Sequence, residues 1–152
     1  MKRFKYRLET VLDYKNQILD NLKTEHAVII QNVNRKQEEI KGLHNELAGF
    51  ENEFDRAKET GIAIENYRLF DMCIGRMEEI IDQEKERLKV LRKQEEEKKQ
   101  QVITAKVDTS KFEKLKEKKL KEYQKEEAKA DEAFIEEFVA GNAIRFRHQH
   151  RG

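Results

Sequence analysis

Four histidines, one cysteine and 31 acidic residues are the side chains of this chain with the means to do chemistry. A metal site needs them at set spacings, and no CxxC or HExxH pattern occurs. His26 and His44 stand alone. His148 and His150 lie two apart in a basic end, where they add charge more readily than they grip a metal. A nucleophilic thiolate needs a neighbouring base, and Cys73 has none in sequence, so it reads as a small packed hydrophobe. No glycine-rich loop is present to cradle a phosphate. The acidic residues are spread throughout, and an open helical structure gives no deep cleft to shift their pKa values. The sequence therefore supports neither an enzyme nor a cofactor-binding protein.

The elements that would position such groups are helices. Of 152 residues, 41% are charged and 37% hydrophobic, with no proline and no tryptophan. That mixture suits long helices and coiled coils and leaves little for a thick core. From Leu8, the residues Leu12, Lys15, Leu19, Leu22, His26, Ile29, Val33, Lys36, Ile40, Leu43, Leu47, Phe50, Phe54 and Ala57 follow in unbroken steps of four and three. This is a heptad seam, interrupted in polarity only at Lys15, His26 and Lys36. It predicts helix one over about 4–58, a rod of roughly 80 Å. His26 is expected to be tolerated there as a local packing defect. Gly42 and Gly49 fall inside and each weakens the helix by about 1 kcal/mol. A second seam runs through Tyr67, Phe70, Ile74, Met77, Ile81, Glu84, Leu88 and Leu91, turns polar at Glu95 and Lys98, and returns at Val102, Ala105 and Phe112. After Phe112 the phase slips. Helix two is expected over about 65–140, stopping at Gly141, with a basic tail over 141–152.

Between the helices, Thr60-Gly61 supplies the break, since glycine takes the left-handed conformation that ends a helix. The expected fold is all-α: a long antiparallel two-helix coiled-coil hairpin, with a hinge over about 59–64 at Gly61 and the second helix longer than the first. The rival is a parallel dimeric rod of roughly 200 Å, which must carry Gly61 in mid-helix.

A hairpin folded at Gly61 places Phe4 opposite roughly Lys119. Helix two then overhangs by about 20 residues, on the order of 30 Å. The overhang holds Phe134, Ile135, Phe138, Val139, Ile144 and Phe146, an apolar surplus that suggests docking. The tail folding back, or self-association, is the bland alternative. The post-hinge stretch has two adjoining apolar stripes: Phe70, Ile74 and Ile81 form one, and Leu69, Cys73, Met77 and Ile80 the other. Spacing alone leaves open which faces helix one, and both fit in a broad seam.

Net charge is +1, so the chain as a whole is no polyanion binder. The run "EKLKEKKLKEYQKEEAKADE" reads as a solvated helix face and not as a one-signed basic stripe. The basic ends, "MKRFKYR" and "AIRFRHQHRG", keep nucleic acid as a minor hypothesis. A single cysteine fits a reducing compartment, no signal-peptide core is present, and no run of roughly 18 apolar residues is available to cross a bilayer.

Three stretches in order resemble the bacterial flagellar export protein FliJ family: "RFKYRLETVLDYK", the glycine at 61 followed by "NYRLF", and "EKKLKEYQKEEAKADEAF". The resemblance covers essentially the whole chain. It implies a cytoplasmic, non-enzymatic component of the type III flagellar export apparatus, peripherally associated with the inner membrane and without direct membrane insertion or a nucleic-acid partner. It implies a hairpin similar to the stalk of the rotary ATP synthase gamma subunit. The implied partners are a hexameric export ATPase, a membrane export gate protein and export chaperones. By analogy, Phe134, Phe138, Val139, Arg145 and Arg147 would meet the ATPase ring, and Phe70, Ile74, Met77 and Ile81 the gate. The gate contact would turn that stripe outward and leave Leu69, Cys73, Met77 and Ile80 inside, with Met77 shared. A coiled-coil holdase that grips unfolded clients without an ATPase is the alternative function.

Overall fold

The computed structural model describes residues 2–151. Two helices account for nearly all of them: α1, Glu9–Thr60, of 52 residues, and α2, Ile64–Arg151, of 88 residues. Among the described residues there is no strand. The helices pack against each other as an antiparallel hairpin, as the seams require.

The turn follows from its residues. Lys58 in the last turn of α1 suits the negative end of the helix dipole. The Thr60 hydroxyl donates back to the carbonyls of Arg56 and Ala57, both at 3.2 Å. Gly61 then takes φ 90°, the one positive φ among the described residues. α2 begins with the Tyr67 amide donating to the Ala63 carbonyl, and Glu65 lies in its first turn.

The chain divides into two compact units. One comprises Met1–Leu19 with Ala105–Gly152, the other Asp20–Thr104. In the second, Ile40, Phe54 and Ile81 are buried. In the first, Tyr6, Leu12, Leu19 and Thr109 are buried. No described side chain falls below 2% exposure, which is what a seam one side chain deep leaves.

Helix boundaries depart from expectation at two places. α1 starts at Glu9, not near residue 4, because Tyr6 holds the preceding segment off the helical path. The Tyr6 hydroxyl donates to the Phe112 carbonyl at 2.9 Å, and the Glu9 amide donates to the Tyr6 carbonyl at 3.1 Å. Residues 2–8 thus form a non-helical strap on α2. At the other end Gly141 does not stop α2, which continues to Arg151. Gly141 lacks a positive φ, and the run "EAFIEEFVAGNAIRF" around it is rich enough in helix formers to carry one glycine at about 1 kcal/mol. The residues expected as a tail are therefore helical up to Arg151, with Gly152 outside the described residues.

Candidate partner-binding surfaces

The post-turn stretch of α2 is the first candidate. Phe54 of α1 stacks on Phe70 with ring centroids 5.2 Å apart and meets Tyr67 at 5.0 Å. Ile81 is 3% exposed, and Ile74 and Met77 are half-buried. The stripe Phe70, Ile74, Met77 and Ile81 therefore faces α1, as the heptad seam had it. The reversed arrangement, with Leu69, Cys73, Met77 and Ile80 as the inner stripe, is corrected by these contacts. Leu69 is 54% exposed and points away, while Cys73 and Ile80 sit half-buried at the margin. Burial favours the first stripe because α1 presents Phe54 to it, and a stacked aromatic ring covers a large apolar area. Met72, 65% exposed, stands on the open side with Leu69.

The overhang is the second candidate. Its inner limit is set by the strap. Phe4 lies against Tyr123 with centroids 5.5 Å apart, and the Tyr123 hydroxyl donates to the Lys2 carbonyl at 2.6 Å. Phe4 thus sits one helical turn past the expected position at Lys119. Strap and α2 enclose an open hollow lined by Phe4, Tyr6, Leu8, Leu115 and Tyr123. From 124 to 149 every residue of α2 is exposed. Phe134, Phe138 and Val139 are 69%, 62% and 60% exposed. They recur at i, i+4 and i+5, so they share one side of the helix, and Ile135 widens it. Arg145 and Arg147 follow on exposed turns. Arg145 lies eleven residues, about three turns, from Phe134, and so continues the same side.

Polar groups at seam positions form a third set. Lys15 Nζ lies 2.7 Å from Asp108, His26 Nε2 lies 2.9 Å from Glu95, and Lys36 Nζ lies 2.6 Å from Glu84. His26 is therefore no bare packing defect, since it has a carboxylate partner across the seam. Hydrogen bonds that Lys36 donates to the carboxylates of Glu39 and Glu84 raise its pKa above the ordinary value. The same ammonium holds the Glu84 carboxyl below the usual carboxylate range. Lys116 is raised by its hydrogen bond to Glu9. Thr109, overlooked in the sequence, is the most buried polar residue, and its hydroxyl donates to the Ala105 carbonyl at 2.8 Å. It continues the 3-4 rhythm between Ala105 and Phe112, and that spacing was the signal available.

The charged run of α2 also holds a feature that its mixed composition hides. Lys111, Lys114, Lys118, Lys121 and Lys125 recur at three and four, so they share one exposed face. The ridge is narrow, and Glu117 and Glu122 line the same open hollow as Lys114, Lys118, Lys121 and Lys125, so that surface is mixed in charge.

Among the described residues no group of histidine, cysteine and carboxylate side chains is placed to hold a metal ion. His44 and His148 are exposed, and the His150 side chain lies outside the described residues. No helix of the described residues is long and apolar enough to cross a membrane. The family model described as "Flagellar FliJ protein" matches residues 4–148. No curated protein and no solved structure matches the chain.

Proposed function

The chain belongs to the flagellar FliJ protein family, a component of the flagellar export apparatus, and on that premise we propose that it acts there as a non-enzymatic coiled-coil stalk. In this reading the overhang enters or caps a hexameric export ATPase and promotes its assembly or turnover. Phe134, Phe138 and Val139 supply apolar anchors, and Arg145 and Arg147 supply cations for carboxylates of the ring. One observation carries the reading: an unbroken helix, exposed from 124 to 149, bears Phe134, Phe138 and Val139 on one side with more than half of each open to solvent.

The membrane export gate is proposed to meet the post-turn stretch. Phe70, Ile74 and Met77 offer their partly exposed edges there, and the buried Ile81 supports them from beneath. Export chaperones complete the proposed partners. With no helix suited to spanning a bilayer, attachment to the inner-membrane apparatus would run through these proteins.

The test is ATP hydrolysis by the purified cognate export ATPase, with the full chain and with a truncation ending at Glu127. The cut keeps Tyr123 and its bond to the strap, so the hairpin is preserved. Stimulation by the full chain and none by the truncation is the expected result. Equal stimulation by both would remove the overhang from the mechanism. No stimulation by either, with suppressed aggregation of an unfolded client, would favour the holdase reading.

A further inference from the structure

The charged layers inside the seam restrict which helix can pair with which. On α1 the seam positions that are not apolar are Lys15, His26 and Lys36. Their partners on α2 are the carboxylates of Asp108, Glu95 and Glu84, at 2.7, 2.9 and 2.6 Å. Lys36 and Glu84 retain only 19% and 14% of their side-chain exposure. Charges held that far from water are costly when left without a partner.

Three competing arrangements can be compared with this one. Sliding α2 by one seam position puts Lys36 against Ile81 or Leu88, His26 against Leu91 or Lys98, and Lys15 against Ala105 or Phe112. Every slip separates Lys15, His26 and Lys36 from their carboxylates. A parallel pair of two chains in register is worse. Each seam residue then faces its own copy, so that Lys15, Lys36, Glu84 and Glu95 all form like-charge contacts. The third arrangement, α1 of one chain on α2 of a second, keeps every native pair. Two further cross-helix pairs, Lys116 with Glu9 and Lys98 with Glu25, both at 2.8 Å, run with opposite polarity and obey the same rule.

We propose that these layers are a pairing code: α1 accepts only α2, in one register, and self-pairing of either helix is excluded by charge. Buried polar positions in coiled coils set register and partner at a cost in stability. The device fixes which helix pairs with which and in what register, and it is satisfied equally within one chain or by exchange of helices between two. The inference does not depend on the export reading.

Two full-length variants test it. One carries Lys15→Glu, His26→Glu and Lys36→Glu, the other Glu84→Lys, Glu95→Lys and Asp108→Lys. The first places like charges in every layer and the second in the Lys15 and Lys36 layers, and Tm is expected to fall by roughly 10 °C. All six changes in one chain restore opposite charges, and most of the loss is recovered. An equimolar mixture of the two triple variants forms a one-to-one complex of twice the monomer mass, measured by light scattering. Triple variants as stable as the parent, or a sixfold variant no better than the triples, overturn the proposal. A fourth chain with leucine at all six positions is expected to keep its helix content and to show dimer that grows with concentration. If that chain stays monomeric at every concentration, the code is not charge.

Discussion

Residues 64–81 and residues 124–149 of α2 are both amphipathic helix, and both carry large apolar side chains. In the first, Phe54 covers Phe70 and Tyr67, and Ile81 is sealed at 3% exposure. In the second, Phe134 and Phe138 remain 69% and 62% exposed. The difference does not come from α2, which is similarly patterned in both. It comes from whether α1 presents a residue at the matching position. An apolar stripe on a long helix is thus an offer of contact, and the length of the other helix decides whether the chain itself accepts it.

Breaking the covered region should have the largest effect. Ile81→Ala is expected to destabilise the hairpin by about 3 kcal/mol, from lost burial and the cavity left behind. Chemical denaturation followed by circular dichroism would show it, and a loss below about 1 kcal/mol would return this stripe to the partner surface. Next comes the turn that brings α1 back over the post-turn stretch. Gly61→Ala forces a Cβ into φ 90°, where open space does not relieve the backbone strain, and should cost about 1–2 kcal/mol.

Two glycines sharpen the contrast. A Cβ at Gly49 or at Gly141 meets nothing within 4 Å. Alanine at Gly49 should therefore raise the stability of the cooperative unit by about 1 kcal/mol. Alanine at Gly141 should add helical signal while leaving the main melting transition in place, because the helix around it is not packed on α1. Equal shifts in Tm from the two changes would contradict the assignment of 124–149 as uncovered.

Acid should act on the covered region in a more limited way. The Glu84 carboxyl, held low by Lys36 with help from Arg87, contributes stability above its ordinary pKa and loses it as pH falls through its depressed folded value. Lys36, held high by Glu39 and Glu84, contributes below the ordinary lysine value and loses it as pH rises through the raised one. The pair is thus constant through neutrality and fades at the acid end. Glu84→Gln should lower Tm at neutral pH and flatten its decline on acidification, read from melts between about pH 2 and 7. Smallest of all should be the effect of Phe138→Ala on stability, within about 0.5 kcal/mol. Its expected consequence is loss of ATPase stimulation, and a clear drop in Tm would instead show that the ring is packed.

Much of this was legible in the residues. The unbroken run from Leu8 to Ala57 specifies the seam of α1, and every buried residue of that helix, Leu12, Leu19, Ile40 and Phe54, lies on it. Gly61 was readable because a glycine between two helical patterns has one local use. The stripe of Phe70 and Ile81 was not decided by spacing, since two stripes one residue apart satisfy the same rhythm. Only Phe54 across the seam separates them. The strap was illegible for a different reason. Phe4, Leu8 and Leu12 keep helical spacing, and nothing local reveals that the Tyr6 hydroxyl will reach a carbonyl 106 residues away. Gly141 misled because a glycine near a basic end resembles a stop, while its neighbours sustain the helix. The lysine spacing was masked by composition, since Glu117 and Glu122 lie among the lysines on the same surface.

The strap's bond from Tyr123 to Lys2 also marks a boundary in time. On the paired side, a backbone amide exchanges its hydrogen only when the hairpin opens, so its protection reports the stability of the packed seam. Beyond Tyr123 the residues up to 149 are exposed, and helix–coil relaxation of an unpacked helical segment takes on the order of a microsecond. Deuterium should therefore fill 124–149 almost at once and stop at Tyr123. A protease should trim the chain back to the same residue, and a bound ring would announce itself by slowing both.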